Sequence, residues 1–569
     1  MCSAKQSQAQ QDVWSGAADL WPGTAGLGLW ATLKNIMRYT VRFFACFGLA
    51  LGVSIFGQAA AEGQGSSPSV QGAEARAVRA YEAAVRQGAP ALTAFLAQFP
   101  KGADLHVHLS GAVYAETFIR EAGKDEVCVD TVALTFAKPP CTGNLIPATN
   151  LSGNLSAANQ TIYDRLIDSF SLRSFVPSAG WSGHDQFFAT FDRFGGLKDH
   201  YGEWVDEVAS RATAQNEQYL ELMVTPAFSG AAGIAHQIGW SPQLAAADTS
   251  AFAQFRQQLL DKGLRDEVAA DREKVRASET QRKQLEHCGT ALAAEACQVE
   301  VRYLYQVLRG NAPEQVFAQT LLGFETVEAS MAAKDDLWVG INFVQPEDGF
   351  ISMRDYTLQM KMVGYLHTVY PNVAISLHAG ELTLGLVPPE GLRFHIRQAV
   401  ELAHAERIGH GVDAMYEDDA AGLLKEMAAK HIMVEINLSS NEGILGVKGA
   451  EHPFPIYRAA KVPVALSTDD EGVSRIDLTH EYVRAALDYH LSYADLKKLA
   501  RTGMEHDFLP GASLWVRPDD FAAPVKACEN DVLGAANPSA ACKAFLNGSE
   551  KAAAQWELER RFRAFEAKF

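Results

Sequence analysis

VAISLHAGE, residues 373–381, is a short apolar run that stops abruptly at His378, Gly380 and Glu381. A run of this length reads as a buried strand whose polar end reaches an edge of the core. Seven other runs share the pattern: LHVHL (105–109), YLELMV (219–224), VRYLYQVL (301–308), LWVGINFV (337–344), RIGHG (407–411), IMVEINLSS (432–440) and VPVALSTDD (462–470). Helix-length stretches separate them. Eight strands alternating with helices predict parallel β/α units. Closing the eight into a barrel is the economical solution. The expected fold class is therefore α/β, an eight-stranded parallel (β/α)8 barrel of the TIM type with insertions and an N-terminal helical segment. Active sites of such barrels lie on the face where the strands end, and the polar ends of these runs collect there.

The chain around the barrel divides by composition. Residues 62–72, EGQGSSPSVQG, form a Gly/Ser-rich linker, and 73–98 show helical spacing of apolar residues. The barrel is expected over 101–516, with insertions at 124–180 and 240–300 and a C-terminal helical tail over 517–569. Pro, Gly and Asn crowd 124–180, which we read as a loop or lid near the site. The 240–300 stretch is charged and Ala-rich, and reads as helical. There is no internal repeat.

With 569 residues, 48% apolar and 21% charged, the chain can bury a sizeable core. Its net charge of −18 is a poor footprint for gripping phosphate backbones, so nucleic acid is not an expected partner. Near the N-terminus, FFACFGLALGVSIFG (43–57) follows Arg38 and Arg42 and precedes Ala59, Ala60 and Ala61. A basic start, a short apolar stretch and a small-residue exit describe a secretory signal over 37–61. The run is short for a spanning helix, which needs ~20 apolar residues. Met37 reads as the true start, and 1–36 as an upstream extension. Export to the periplasm or the medium is expected, without stable membrane association after signal removal. Cysteine usage agrees. Cys128 with Cys141, Cys288 with Cys297, and Cys528 with Cys542 are near neighbours, as disulfides of an exported protein would be.

His106 and His108 lie two apart on a strand and so point to the same side. Two inward imidazoles at a strand end make half of a zinc site. His378 ends the fifth strand with Glu381, His410 ends the sixth, and Asp469 and Asp470 end the eighth. In a barrel all of them reach one rim. Three imidazoles and a carboxylate suit one zinc ion per chain, with water in the remaining position. That is a hydrolytic centre.

The stretches PKGADLHVHLSGA, SLHAGE, RIGHGVDA, EINLSSNEGIL and ALSTDDEGV, in this order, resemble the adenosine deaminase family of metal-dependent hydrolases. The likeness runs from about 95 to 515 and is interrupted by the insertions; PKG and the export signal look like the secreted, growth-factor-related branch. The resemblance implies hydrolytic deamination of adenosine or a related aminopurine nucleoside, with release of ammonia. It implies that His106, His108, His378 and Asp469 bind zinc. Glu381 would protonate the purine ring. His410 would orient the attacking water and take its proton, or stabilise hydroxide. Asp470 would hydrogen-bond the water or the far ring nitrogen. The sequence departs from the family at Ser110, where an Asp usually reaches the sugar, and at Gln345 and Pro346, where a Gly usually follows the fourth strand. Ser110, Gln345, Gly380 and Asp470 are the expected substrate contacts.

Two other readings compete. One is a zinc amidohydrolase acting on another aminopurine or on a non-purine amide. Against a two-metal version, no Lys stands at the fourth or fifth strand end to bridge the ions. The cytidine-type signature, H-x-E with P-C-x-x-C, is absent. The other is a secreted binding or signalling protein with vestigial catalysis, whose insertions and tail contact a partner or build a homodimer.

Overall fold

A computed structural model describes residues 68–569, apart from 154, 155 and 336. The expected signal and upstream extension lie outside the described residues. Eight parallel strands are joined in chain order: β1 (Gly102–His108), β2 (Glu217–Val224), β3 (Glu300–Leu308), β4 (Trp338–Val344), β5 (Ala374–Ala379), β6 (Arg407–His410), β7 (Met433–Ile436) and β8 (Val464–Leu466). The ring closes just beyond β8. There the Asp469 N–H donates to the His106 carbonyl at 2.8 Å, and the His108 N–H donates to that of Asp469 at 3.3 Å. The (β/α)8 barrel expected from the alternation is the observed architecture.

Two strands are shorter than their apolar runs suggest. After Ile436 the chain turns into the helix Leu438–Leu445, so Asn437, Ser439, Ser440 and Asn441 sit at a helix start rather than on a strand. After Leu466, Asp469 takes a positive φ of 63°, which no strand continues. The expected N-terminal helix is likewise two, Pro68–Gln87 and Ala89–Leu96, divided at Gly88 with φ 97°.

The barrel interior is polar below the rim. Arg407 pairs with Glu221 at 2.6 Å and Glu435 at 2.7 Å, and its guanidinium stacks on the Phe508 ring. A fully buried Arg is tolerated there because both carboxylates neutralise it. The outer layer of the barrel is apolar, with Phe317, Leu321, Phe324, Tyr356 and Val363 buried between helices and strands. The N-terminal helices and the last helix, Glu550–Glu566, meet in an aromatic cluster of Phe95, Phe99, Tyr493 and Phe565. The buried Lys101 links this cluster to the barrel. Its ammonium donates to the carbonyls of Leu96 (2.7 Å), Phe99 (3.2 Å) and Gln215 (2.5 Å).

Among the described residues, three disulfides form, and each joins near neighbours: Cys128–Cys141, Cys288–Cys297 and Cys528–Cys542. The first staples a three-stranded antiparallel sheet of Cys128–Asp130, Thr135–Ala137 and Leu145–Pro147. This insertion packs on Phe118, Phe170 and Phe194 as a small satellite core. It does not roof the site, contrary to the reading of 124–180 as a lid; its Val129, Ile167 and Phe170 are buried in this cluster instead. The second insertion is helical, as its composition suggests. Among the described residues, no helix is long and apolar enough to cross a membrane.

Candidate active site

Because side chains alternate along a strand, His106 and His108 of β1 both face the barrel axis at its rim. His378 joins them from β5. His378 Nε2 lies 3.1 Å from His106 Nε2 and 3.2 Å from His108 Nε2. Asp469 Oδ1 stands 3.5 Å from His106 Nε2 and 3.2 Å from His108 Nε2. Two ligands ~2.0–2.1 Å from a tetrahedral centre would be about 3.3 Å apart. The four atoms therefore have the spacing of a metal-ligand set. His410 Nε2 also faces the cluster, 3.9 Å from Asp469 Oδ2, and has no hydrogen-bond partner among the described residues. His106, His378, His410 and Asp469 together offer one atom each within 4.8 Å of one another, so spacing alone leaves His108 and His410 as rival ligands.

The far nitrogen of each β1 and β5 histidine is held by an acceptor. His106 Nδ1–H donates to Glu435 Oε2 at 2.5 Å, His108 Nδ1–H to Gln306 Oε1 at 2.7 Å, and His378 Nδ1–H to Asn342 Oδ1 at 2.7 Å. With the proton on Nδ1, every Nε2 lone pair is left for a cation, and the ring planes are fixed. Sequence reasoning missed Glu435, Gln306 and Asn342. Their signal was a polar residue in the middle of a buried strand, where it needs a partner.

Charges agree with this reading. Burial and the surrounding imidazoles of His106, His108 and His410 hold His378 well below the usual histidine range, which keeps it neutral. Burial opposes a charge on His106, but hydrogen bonds to Asp469 and Glu435 outweigh it and lift the imidazole to about 10. A cation entering the cluster displaces that proton. Burial also works against ionised Asp469, yet hydrogen bonds from His106 and His108 keep it well below the carboxylate range.

Two acids beside the cluster behave in the opposite way. Burial, with the charges of Asp469 and Glu347, raises Glu381 well above the carboxylate range. Burial and the adjacent Asp469 do the same to Asp470. Glu381 is aimed by the loop after β5. Glu347 Oε1 accepts the Gly380 N–H at 3.0 Å and Oε2 accepts the Glu381 N–H at 2.8 Å. Gly380, an expected substrate contact, thus gives its N–H to Glu347. It has φ 78°, and a Cβ there would meet Asp413 Oδ1 at 2.4 Å. Gly111 is needed for space, since a Cβ there would lie 1.5 Å from Asp470 Oδ1. Gln345, His410 and Asp469 all take positive φ at the ends of β4, β6 and β8. Such strain costs ~1–3 kcal/mol per residue and gathers where a site requires an unusual aim.

A cavity of about 410 Å³ opens over the cluster. Ser110, Gln345, Asp470 and Glu381 line it, together with His108 and His378. Gln345 Oε1 accepts the Gly310 N–H at 2.7 Å. The helix Gly183–Arg193, just past the first insertion, supplies Phe187, Phe188, Phe191 and Asp192 as the roof. His184 on this helix donates to Asp348, on the opposite rim, at 2.9 Å. Among the described residues, no Lys or Arg lines the cavity. Of the polar residues after β7, Ser440 Oγ donates to Asp469 Oδ2 at 2.6 Å and Asn441 Nδ2 lies 2.9 Å from His410 Nδ1. Ser439 turns away, its N–H donating to Glu481 at 3.1 Å.

Residues 283–513 match the family model described as adenosine deaminase. An adenosine deaminase of Clostridium perfringens strain ATCC 13124 is 35% identical over 135 residues, which is 24% of this chain and 37% of that enzyme. That of strain SM101 is 35% identical with the same coverage. The matched segment spans 37% of the length of these curated relatives. Among solved structures, the adenine deaminase of Arthrobacter aurescens shares 15% identity at a TM-score of 0.44, covering 72% of this chain and 94% of that one. The N6-methyl-AMP deaminase of Arabidopsis thaliana shares 20% identity at a TM-score of 0.45, covering 74% and 94%.

Proposed function

We propose, on the premise that residues 283–513 carry the adenosine deaminase family match, that the protein is a zinc-dependent hydrolase that deaminates adenosine or a related aminopurine nucleoside. The observation that carries the reading is the convergence of three Nε2 atoms and one carboxylate oxygen beside Glu381, with each ring proton tied to an acceptor on the far side. His106, His108, His378 and Asp469 would hold the ion. Zinc bound there supplies a Lewis acid and a water that ionises near neutral pH.

The chain's own groups do the rest. Water attack on a purine carbon costs aromaticity, so a proton must reach the ring as oxygen adds. Glu381, kept protonated by burial and by Asp469, gives that proton to the ring nitrogen beside the amino-bearing carbon. His410 orients the attacking water, and Asp470 bonds the water or the far ring nitrogen. Ammonia then leaves and the inosine-type product remains. Ser110 and Gln345, with Asp192 of the roof, line the cavity and would meet the sugar. The absence of basic lining residues favours a nucleoside over its phosphate monoester. The three disulfides support an exported, oxidising location.

The test is ultraviolet absorbance at the adenosine-to-inosine difference band, on zinc-loaded protein, with adenosine, 2′-deoxyadenosine, adenine and AMP. Nucleosides should turn over, AMP should lag, and Glu381→Gln should lose at least ~10²-fold in kcat. A folded, zinc-loaded protein inert on all four would end the adenosine reading.

A further inference from the structure

His410 belongs to a chain of hydrogen bonds that begins on a backbone amide. The Phe454 N–H donates to His452 Nδ1 at 3.1 Å. A backbone N–H can only donate, so His452 Nδ1 carries the lone pair and its neutral ring keeps the proton on Nε2. His452 Nε2 lies 3.0 Å from the side-chain oxygen of Asn441, and donates to it. The Asn441 amide nitrogen is thereby turned toward His410 Nδ1, at 2.9 Å. A second amide nitrogen, Asn437 Nδ2, faces the same ring atom at 3.4 Å. His410, Asn441, Asn437 and His452 are all buried, so water offers no alternative partner. Burial, reinforced by Arg484, pushes His452 down to about 3, which keeps the start of the chain neutral.

We propose that His452, acting through Asn441, is a positioning residue that fixes His410 as the Nε2–H tautomer. Two consequences follow. A nitrogen that carries a proton cannot ligate a metal, so the relay removes His410 from the ligand set and leaves His108 in it. Nδ1 is likewise closed to a proton, because two amide donors face it, while the Glu381 carboxyl oxygen, 3.6 Å away, lies beyond hydrogen-bond distance. His410 therefore enters the reaction as a hydrogen-bond donor, not as a base. This settles which of the two roles His410 plays within the deaminase reading, on which its catalytic meaning rests. The polarity of the relay itself rests on the four hydrogen bonds alone.

The sequence held the clue. SSN at 439–441 opens the helix Leu438–Leu445 and HPF at 452–454 follows it; SSN reaches the ligand cluster through Asp469 and His410, and HPF through Asn441. A merely structural His452 would tolerate any residue of similar size. A relay would not, since each member must donate on one side and accept on the other.

The experiment is solid-state 15N spectroscopy of zinc-loaded protein labelled only at histidine, with His410 identified by the signals lost in His410→Gln. Wild-type protein should show His410 with an unprotonated Nδ1 and a protonated Nε2. Asn441→Asp places a carboxylate oxygen against Nδ1 and should reverse the tautomer. The freed Nε2 should then alter the visible spectrum of the cobalt-substituted protein. His452→Gln keeps an N–H aimed at Asn441 and should retain the wild-type pattern. His452→Ala should mix the two tautomers and lower kcat roughly tenfold or more with little change in KM. A protonated Nδ1 in the wild type, or an unchanged tautomer in Asn441→Asp, overturns the relay. The expected tautomers in a protein inert on every nucleoside would leave the relay standing and retire the deaminase reading instead.

Discussion

Asn342 makes the smallest of the contacts on which the site depends. It sits in the middle of β4, completely buried, and accepts from His378 Nδ1 while donating to Ser376 Oγ at 3.3 Å. Its oxygen decides that the His378 proton stays on Nδ1. Asn342→Ala removes the acceptor but none of the ligands. Zinc affinity should fall ~10–100-fold, as it does when an outer-shell partner is lost. Chelator competition measures this directly. An unchanged affinity would mean that packing alone orients His378.

At the scale of elements, the N-terminal helices are fastened to the barrel by a buried cation. Lys101 is 0% exposed and donates to three carbonyls that cap the entry to β1. Burial lowers its ammonium to about 8, with Glu217 and Asp477 pulling the other way, so it is largely charged at neutral pH. Lys101→Met keeps the volume and leaves the carbonyls without donors. Each unsatisfied buried acceptor costs ~1–3 kcal/mol, so the variant should lose on the order of 3 kcal/mol or more in urea unfolding. A loss under ~0.5 kcal/mol would show that water replaces the ammonium. The helix Gly183–Arg193 is a roof on the same scale. It is positioned by close approach, since a Cβ on Gly183 would lie 1.9 Å from the Gly443 carbonyl.

For the molecule as a whole, the groups that aim the site also set its acid limit. Glu347 is buried, and burial alone would raise it. The hydrogen bond from His395, the charge of Arg309 and the Gly380 N–H outweigh this and take it from 4.5 to about 2. A carboxylate lowered on folding stabilises the fold fully above its unfolded pKa. That contribution disappears as pH falls from about 4.5 to about 2. The difference is worth on the order of 3 kcal/mol. Melting temperature against pH should therefore fall more steeply across this window in wild-type protein than in Glu347→Gln. Parallel curves would show that another carboxylate controls acid unfolding.

The sequence by itself determined the barrel and the identity of the residues with chemistry at its rim. Strand periodicity is local, and polar residues ending apolar runs can lie only at an edge of the core. His106 and His108 were legible because two residues apart on a strand means one face. The disulfide pairs were legible because their loops are short. Tertiary structure alone decided what those residues can do. Glu435, Gln306 and Asn342 lie far from their histidines in sequence, and only the assembled sheet brings a strand-interior oxygen to each Nδ1; for Glu435 of β7 and His106 of β1 that takes closure of the ring. The roof came from Gly183–Arg193 and not from the insertion before it, because the insertion's Phe136 and Phe170 are taken up in the apolar cluster that Phe187 of that helix shares. The tautomer of His410 depends on a backbone amide 44 positions away, at Phe454, and hydrogen-bond polarity passes through contacts that no periodicity encodes.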